Sequence, residues 1–426
     1  MATYFPSGFG LRLVRVLEVG GAIALTGCYA IAFSANPAFG QITPDATLGG
    51  ESSIVTPNVN IRGLPGDRID GGAIRGANLF HSFQEFNVGD GQRVYFANPT
   101  GIENILSRVK GNNLSNILGT LGVDGGASLF LLNPNGIIFG PNAQLDISGS
   151  FFASTADSVV FDNGYQFSAK NPESPPILTV SVPLGVQYGT NQPRTTIRNT
   201  GTLAVGQNFT LNAGNLDLQG LVQAGNNLTL QAQDTVKIRD SITHPFIAAA
   251  GGQLLVQGNG AVDIFALNHA NSGFFSGGDM VLRSPNSVMG DAHYTTGGNF
   301  RIEQLDGSLG DLDSPGDPVI RANGNVSFDT YQGASLHIFA GGSVNLGSVT
   351  ITGTDATNFI NETVPLSQTL PDGTNTVTIN GSTRPTLDIR AGTLAAGTPL
   401  GVTGNPTPTG LVVSDPPTSA DIVIGT

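Results

Sequence analysis

Gly225-Asn226-Asn227-Leu228-Thr229-Leu230 decides the fold, because the chain writes variants of it again and again. They stand at Gly206-Gln207-Asn208-Phe209-Thr210-Leu211, Gly251-Gly252-Gln253-Leu254-Leu255-Val256 and Gly277-Gly278-Asp279-Met280-Val281-Leu282. Three more follow at Gly297-Gly298-Asn299-Phe300-Arg301-Ile302, Asn323-Gly324-Asn325-Val326-Ser327-Phe328 and Gly341-Gly342-Ser343-Val344-Asn345-Leu346. Their starts lie 19, 26, 26, 20, 26 and 18 residues apart, the period of a solenoid. Leu228 with Leu230, and Phe300 with Ile302, alternate with other residues and so face one side of a strand. The Gly and Asn residues ahead of each strand are expected to supply turns with positive φ. A unit of about 22 residues holds two or three short strands and cannot bury its apolar row alone, but stacking at about 4.8 Å per coil buries that row. Helical repeats would need amphipathic runs of about ten residues or more, and the chain has none. Residues 191–353 are therefore expected to form the repeats of a parallel β-helix, with about seven coils between 199 and 353.

Composition agrees. The chain holds 59 Gly in 426 residues and only 12% charged residues, which disfavours helices. At 39% hydrophobic it is too apolar for a disordered linker. The fold class is all-β. Against 31 acidic residues stand 18 basic ones, with no Lys/Arg cluster to neutralise phosphates, so no nucleic-acid partner is expected.

Residues 1–40 read as a signal peptide. Arg12 and Arg15 form a positive start, Val19 through Phe33 an apolar run, and Ala38-Phe39-Gly40 a cleavage site before Gln41. The run is short for a spanning helix, so the protein is not expected to be integral to a membrane. Leu25-Thr26-Gly27-Cys28 offers a lipid-anchor alternative, but the apolar run continues past it. Cleavage after Gly40 would remove Cys28, the chain's one cysteine, and with it any disulfide or thiol chemistry.

Residues 41–190 are less regular and more apolar. Ala127 through Leu132 and Gly136 through Gly140 read as buried strands around Asn133-Pro134-Asn135. Pro134 fixes its φ, the Asn side chains can bond nearby backbone, and Gly136 permits a left-handed residue. Further motifs surround this corner: Gln41-Ile42-Thr43-Pro44-Asp45, His81-Ser82-Phe83-Gln84-Glu85-Phe86-Asn87-Val88, Asn104-Ile105-Leu106-Ser107-Arg108-Val109 and Asn116-Ile117-Leu118-Gly119-Thr120-Leu121. In this order they resemble the secretion domain of filamentous haemagglutinin-type two-partner secretion exoproteins, over about residues 41–165. The resemblance implies a right-handed parallel β-helix with an N-terminal secretion and capping domain over 41–190. It also implies a dedicated partner, an outer-membrane β-barrel transporter with periplasmic recognition domains, and a destination outside the cell or on its surface. It makes Asn133, Pro134, Asn135, Gly136 and Ile137 the secretion motif, with Phe83, Phe86 and Asn87 as secondary positions. The family's first Asn-Pro-Asn-Leu motif has no clean match. Asn98-Pro99-Thr100-Gly101 is the nearest stretch, and no role is carried to it.

Other chemistry is thinly represented. Acidic-polysaccharide lyases of β-helical fold need clustered Asp, Arg or Lys, and the lysines here are only Lys110, Lys170 and Lys237. No G-x-S-x-G or H-E-x-x-H motif occurs. An enzyme is not expected, although separated carboxylates could still converge as a glycosidase pair. His244, His269 and His293, spaced close to one coil, could form a surface or turn ladder without the short spacing of metal ligands. Asp306, Asp311, Asp313 and Asp317 read as a solvated loop without calcium-loop order; neither a metal nor a cofactor is expected. Residues 354–426 turn to Thr, Pro and Gly, as in a loop, before Asp421-Ile422-Val423-Ile424 opens what reads as a further strand of a longer exoprotein. The expected function is that of a secreted adhesin binding a host or matrix glycan or protein. A carbohydrate-active enzyme and a non-adhesive surface or matrix protein are the competing classes.

Overall fold

The alternation in the repeats becomes burial in the structure. In the strand Leu228–Ala232 the first, third and fifth side chains are buried and the others half-exposed. The same holds one coil later in Leu254–Gly258. The computed structural model describes residues 41–173, 183–189, 195–316, 318–355, 366–369, 376–379, 381–392 and 419–425. The expected signal segment 1–40 with Cys28, most of the expected loop 354–426, and Asp317 lie outside these residues.

Each coil of the repeats contributes one strand to each of three sheets, as Leu228–Ala232, Thr235–Arg239 and Ile247–Ala250 do. We call these sheets 1, 2 and 3 in that order. Pairing between coils is parallel and without slippage, so equivalent residues stack. Phe209, Leu228, Leu254, Met280, Phe300, Val326, Val344 and Ile422 form one column through sheet 1. The enclosed apolar column is a single core. The fold is a parallel β-helix, and the described residues contain no α-helix.

The glycines of the repeat serve a different purpose from the one expected. Gly225, Gly251, Gly297 and Gly341 do not have positive φ. A Cβ on Gly225 would lie 2.1 Å from the carbonyl oxygen of Gly206, and one on Gly251 2.1 Å from that of Gly225. The coils approach so closely at this corner that no side chain fits. The polar residue two places on is equally specific. The Asn227 amide N–H donates to Asn208 Oδ1 (3.2 Å), Gln253 N–H to Asn227 Oδ1 (2.9 Å), and Asn325 N–H to Asn299 Oδ1 (2.8 Å). Side-chain oxygens thus satisfy backbone donors at a corner where the ladder hydrogen bonds are interrupted.

The helix starts well before the repeats become visible in the sequence. Asn78–Phe86, Asn104–Val109, Ser128–Leu132 and Phe151–Ser154 precede Phe209–Ala213 in sheet 1. The expected boundary between 190 and 191 therefore falls within one turn of the helix, between Phe151–Ser154 and Thr196–Asn199. Antiparallel strands close the N-terminal end: Ile42–Pro44 pairs with Asn78–Phe86, and Ser53–Ile61 pairs with Leu64–Gly71. The tip of the latter hairpin is clasped to later coils. Arg62 Nη1 donates to Asp146 Oδ1 (2.6 Å), Nη2 donates to the Val123 carbonyl (2.8 Å), and Tyr95 Oη donates to Asp146 Oδ2 (2.7 Å). A three-stranded excursion, Ser158–Phe161, Gln166–Ser168 and Pro183–Gln187, lies over the outer face of sheet 1. There Val159, Phe161 and Phe167 cover Phe80, Leu106 and Leu132 in a second apolar cluster.

Candidate functional site

The corner Asn133–Gly136 is a β-turn closed by the Gly136 N–H donating to the Asn133 carbonyl (3.1 Å). Pro134 holds the second position, where its fixed φ suits the turn. Asn133 is fully buried, and its side chain is saturated. Nδ2 donates to the Asn113 carbonyl (3.1 Å) and Ser115 Oγ (3.0 Å), while Oδ1 accepts from the Asn135 N–H (2.9 Å) and Asn135 Nδ2 (3.0 Å). Asn135 Nδ2 also donates to the Gly111 carbonyl (2.7 Å), tying the turn to the preceding coil. Gly136 has φ +119°, and a Cβ there would lie 3.1 Å from the Thr196 carbonyl of the next coil. Ile137 is wholly buried, in register with Ser115 and Ile197.

The second group of motif positions divides. Phe83 and Phe86 are buried, with ring centroids 5.1 Å apart and Phe96 at 6.3 and 5.8 Å from them. Beside them His81 is fully buried; its Nδ1 lies 3.0 Å from Ser53 Oγ, and burial pushes the imidazole down to about 3. Asn87 is half-exposed. Its Oδ1 accepts from the Asn116 N–H (2.9 Å), and its own N–H donates to the Gln41 carbonyl (3.0 Å).

Asn87 and Asn135 meet on one surface. Together with Gln41, Glu85, Asn112, Asn113, Leu114, Asn116 and Ile138 they line an open groove of about 810 Å³. The fully buried motif residues Asn133, Ile137, Phe83 and Phe86, with Pro134 and Gly136 also buried, stand behind it as support. Sequence reading missed Glu85 and the run Asn112-Asn113-Leu114 as site residues. The available signal was three polar or exposed positions interrupting two buried strands.

The motifs also meet at a second place, around a buried arginine. Arg108 has no exposed surface. Its Nε donates to Ser82 Oγ (2.9 Å), Nη2 to Thr47 Oγ1 (2.8 Å) and Nη1 to the Glu173 carbonyl (3.0 Å), with its guanidinium 4.4 Å from the Phe167 ring centroid. Ser82 Oγ in turn donates to Asp45 Oδ2 (2.7 Å). Burial pulls the Arg108 side chain down to about 10, which leaves it charged at neutral pH. This network joins the Asp45, Ser82 and Arg108 motifs to the excursion. No reading of the sequence announced it.

The family model of the TPS (two-partner secretion) secretion domain matches residues 40–302. The chain belongs to this family. The matched span of the TPS domain includes the groove, the buried network and the first repeats. Among curated proteins, this TPS chain is similar to heme/hemopexin-binding protein of Haemophilus influenzae, 27% identical over 168 residues, covering 37% of this chain and 16% of the relative. The protein of the same name from strain KW20 / Rd is 35% identical over 75 residues, 18% of this chain and 8% of the relative. The chain thus spans about a sixth or less of the length of these relatives. Of solved structures, the HMW1 secretion domain from Haemophilus influenzae has a TM-score of 0.34 at 15% identity, covering 74% of this chain and 88% of that one. The filamentous hemagglutinin secretion domain has a TM-score of 0.29 at 16% identity, covering 73% and 95%.

The weaker constellations stay apart. His293 lies on a strand, in register with Val319. His244 sits in the turn Ser241–His244, and His269 in a loop beside Asp240. The three do not stack. Asp306 accepts from the Ser308 N–H and hydroxyl, whereas Asp311 accepts from the Thr330 N–H. Among the described residues no group of three or more His, Cys, Asp or Glu is arranged to hold a metal. No helix among the described residues is long and apolar enough to cross a membrane.

Proposed function

We propose that the chain is exported by docking its N-terminal coils, residues 41–190, onto the periplasmic recognition domains of a dedicated outer-membrane β-barrel transporter. Beyond the membrane it acts as an adhesin-type binding protein without catalysis, on a host or matrix glycan or protein. The relatives are named for heme and hemopexin binding, a property of proteins far longer than the shared segment. The observation that carries the docking reading is the convergence of Asn87 and Asn135, from separate motifs, on one open groove. A coil-by-coil fold suits this route, since each coil needs only its neighbour once it has crossed.

Asn135→Ala separates docking from turn stability. The variant loses the bonds to Gly111 and Asn133, worth about 0.5–1.5 kcal/mol each, so its melting temperature is expected to fall by a few degrees only. Secreted protein is expected to fall about tenfold or more, with accumulation in the periplasm. Secretion that declines only in step with stability would leave the motif a core turn. Normal melting with normal secretion would contradict the proposal.

A further inference from the structure

The groove has an unbalanced chemistry. It runs along the helix axis as two columns over three coils. One column holds Glu85, Asn113 and Asn135; the other holds Asn87, Asn116 and Ile138. Three coils span about 10 Å between first and last, close to the length of three residues of extended chain. Main-chain edges offer little to a ligand: the Asn116 N–H is taken by Asn87 Oδ1, and the Asn116 carbonyl and the Leu118 N–H are both taken by Val88. Recognition therefore falls to side chains.

The polar ones are neutral amides with donors and acceptors both to spare, and Glu85 is the one charged group among them. The Gln41 amide donates to Thr43, Asn113 Nδ2 donates to Glu85 Oε1 (2.6 Å), and Asn135 Nδ2 is spent on Gly111 and Asn133. The oxygens of Gln41, Asn113 and Asn135 and the second oxygen of Glu85 remain open, and Asn112 finds no hydrogen-bond partner among the described residues. No Lys, Arg or His lines the groove, and no aromatic ring that would stack on a sugar does so either. A carboxylate with one oxygen open, no cation beside it and amide oxygens around it suits a cationic, donor-rich group. A guanidinium offers five such donors in a planar fork.

We infer that the groove receives an extended segment of the export partner carrying an arginine, whose guanidinium pairs with Glu85 and the surrounding amide oxygens. This rests on the docking reading above and names what that reading leaves open, the chemistry of the partner. Glu85 then supplies the attraction, Asn113 holds its carboxylate, and Leu114 and Ile138 take the arginine's methylene stem.

The test uses the secreted chain and the purified periplasmic recognition domains of the transporter, titrated at two salt concentrations. Glu85→Gln is expected to weaken binding roughly tenfold, and Glu85→Lys more, both with a flatter salt dependence than wild type. Asn113 is the one bonded side chain that either variant releases, so melting should be unchanged. A blocked Thr-Arg-Thr-Arg-Thr-Arg peptide should compete with the recognition domains, and a Thr-Glu-Thr-Glu-Thr-Glu peptide should not. Binding by wild type that both variants and both peptides leave untouched overturns the inference while the docking reading stands. Wild-type protein that does not bind the recognition domains at all overturns both.

Discussion

Gly136→Val is expected to yield almost no secreted protein and a sharply lowered melting temperature. Two costs combine. At φ +119° a β-branched residue is held in a backbone region that costs about 1–3 kcal/mol. The new side chain must also clear the Thr196 carbonyl, which a bare Cβ already approaches to 3.1 Å. Relief requires the strand Thr196–Asn199 to move away from Ile137–Phe139, a pairing that joins successive coils in sheet 2. The Gly136 carbonyl, which accepts from the Ser115 N–H (3.0 Å), would move with it. Gly164→Val is the control, because Gly164 also has positive φ (+80°) but nothing lies within 4 Å of its Cβ position. It bears the strain without the collision. Equal melting of the two variants would show that the collision contributes nothing, and wild-type melting of Gly136→Val would refute the account of the corner.

The second large effect is a loss of stability in mild acid that originates at His81. Burial holds its imidazole near 3 in the folded chain, whereas an unfolded histidine titrates near 6.5. The folded pKa is depressed, so the stabilisation is complete above about pH 6.5 and declines as the pH falls from there toward 3. Over that window the unfolded chain takes up a proton that the folded chain refuses. The slope is about 1.4 kcal/mol per pH unit, with a ceiling of several kcal/mol. Carboxylates held low by their partners, such as Glu51 bonded to Arg75, add their own losses at more acidic pH. Comparing wild type with His81→Phe between pH 6.5 and 5 isolates the imidazole. Over that interval wild type should lose about 1.6 kcal/mol of unfolding free energy relative to the variant. A difference independent of pH would mean that water reaches the ring.

The helix was legible where the sequence repeats and obscure where it does not. Leu228, Leu254 and Phe300 announce their stacking because each follows the same small-residue corner. Leu79, Ile105 and Leu129 stack in the same column but follow corners of varied length, and residues 155–195 interrupt the fourth coil. No fixed period could reveal them. The corner glycines were recognised but assigned the wrong cause, since positive φ and close coil approach both select Gly and only coordinates separate them. At the candidate site, the motif Asn133 to Ile137 was visible as a turn, whereas its contact with the Asn112–Leu114 loop depends on stacking register. Arg108 was the least legible. A buried arginine is recognisable only from Asp45, Thr47, Ser82 and the Glu173 carbonyl around it, and these are scattered over more than a hundred residues.

The proposed docking of the export partner on a surface built by the motifs of the first coils can be read residue by residue. Amide hydrogen exchange of the secreted chain, with and without the transporter's periplasmic recognition domains, tests it most directly. Added protection is expected at residues 85–87, 111–116 and 135–138 alone, with the repeats from 209 to 346 unchanged. Protection centred on those repeats, or on the Ser53–Ile61 edge of the cap, with the groove unaffected, would contradict it.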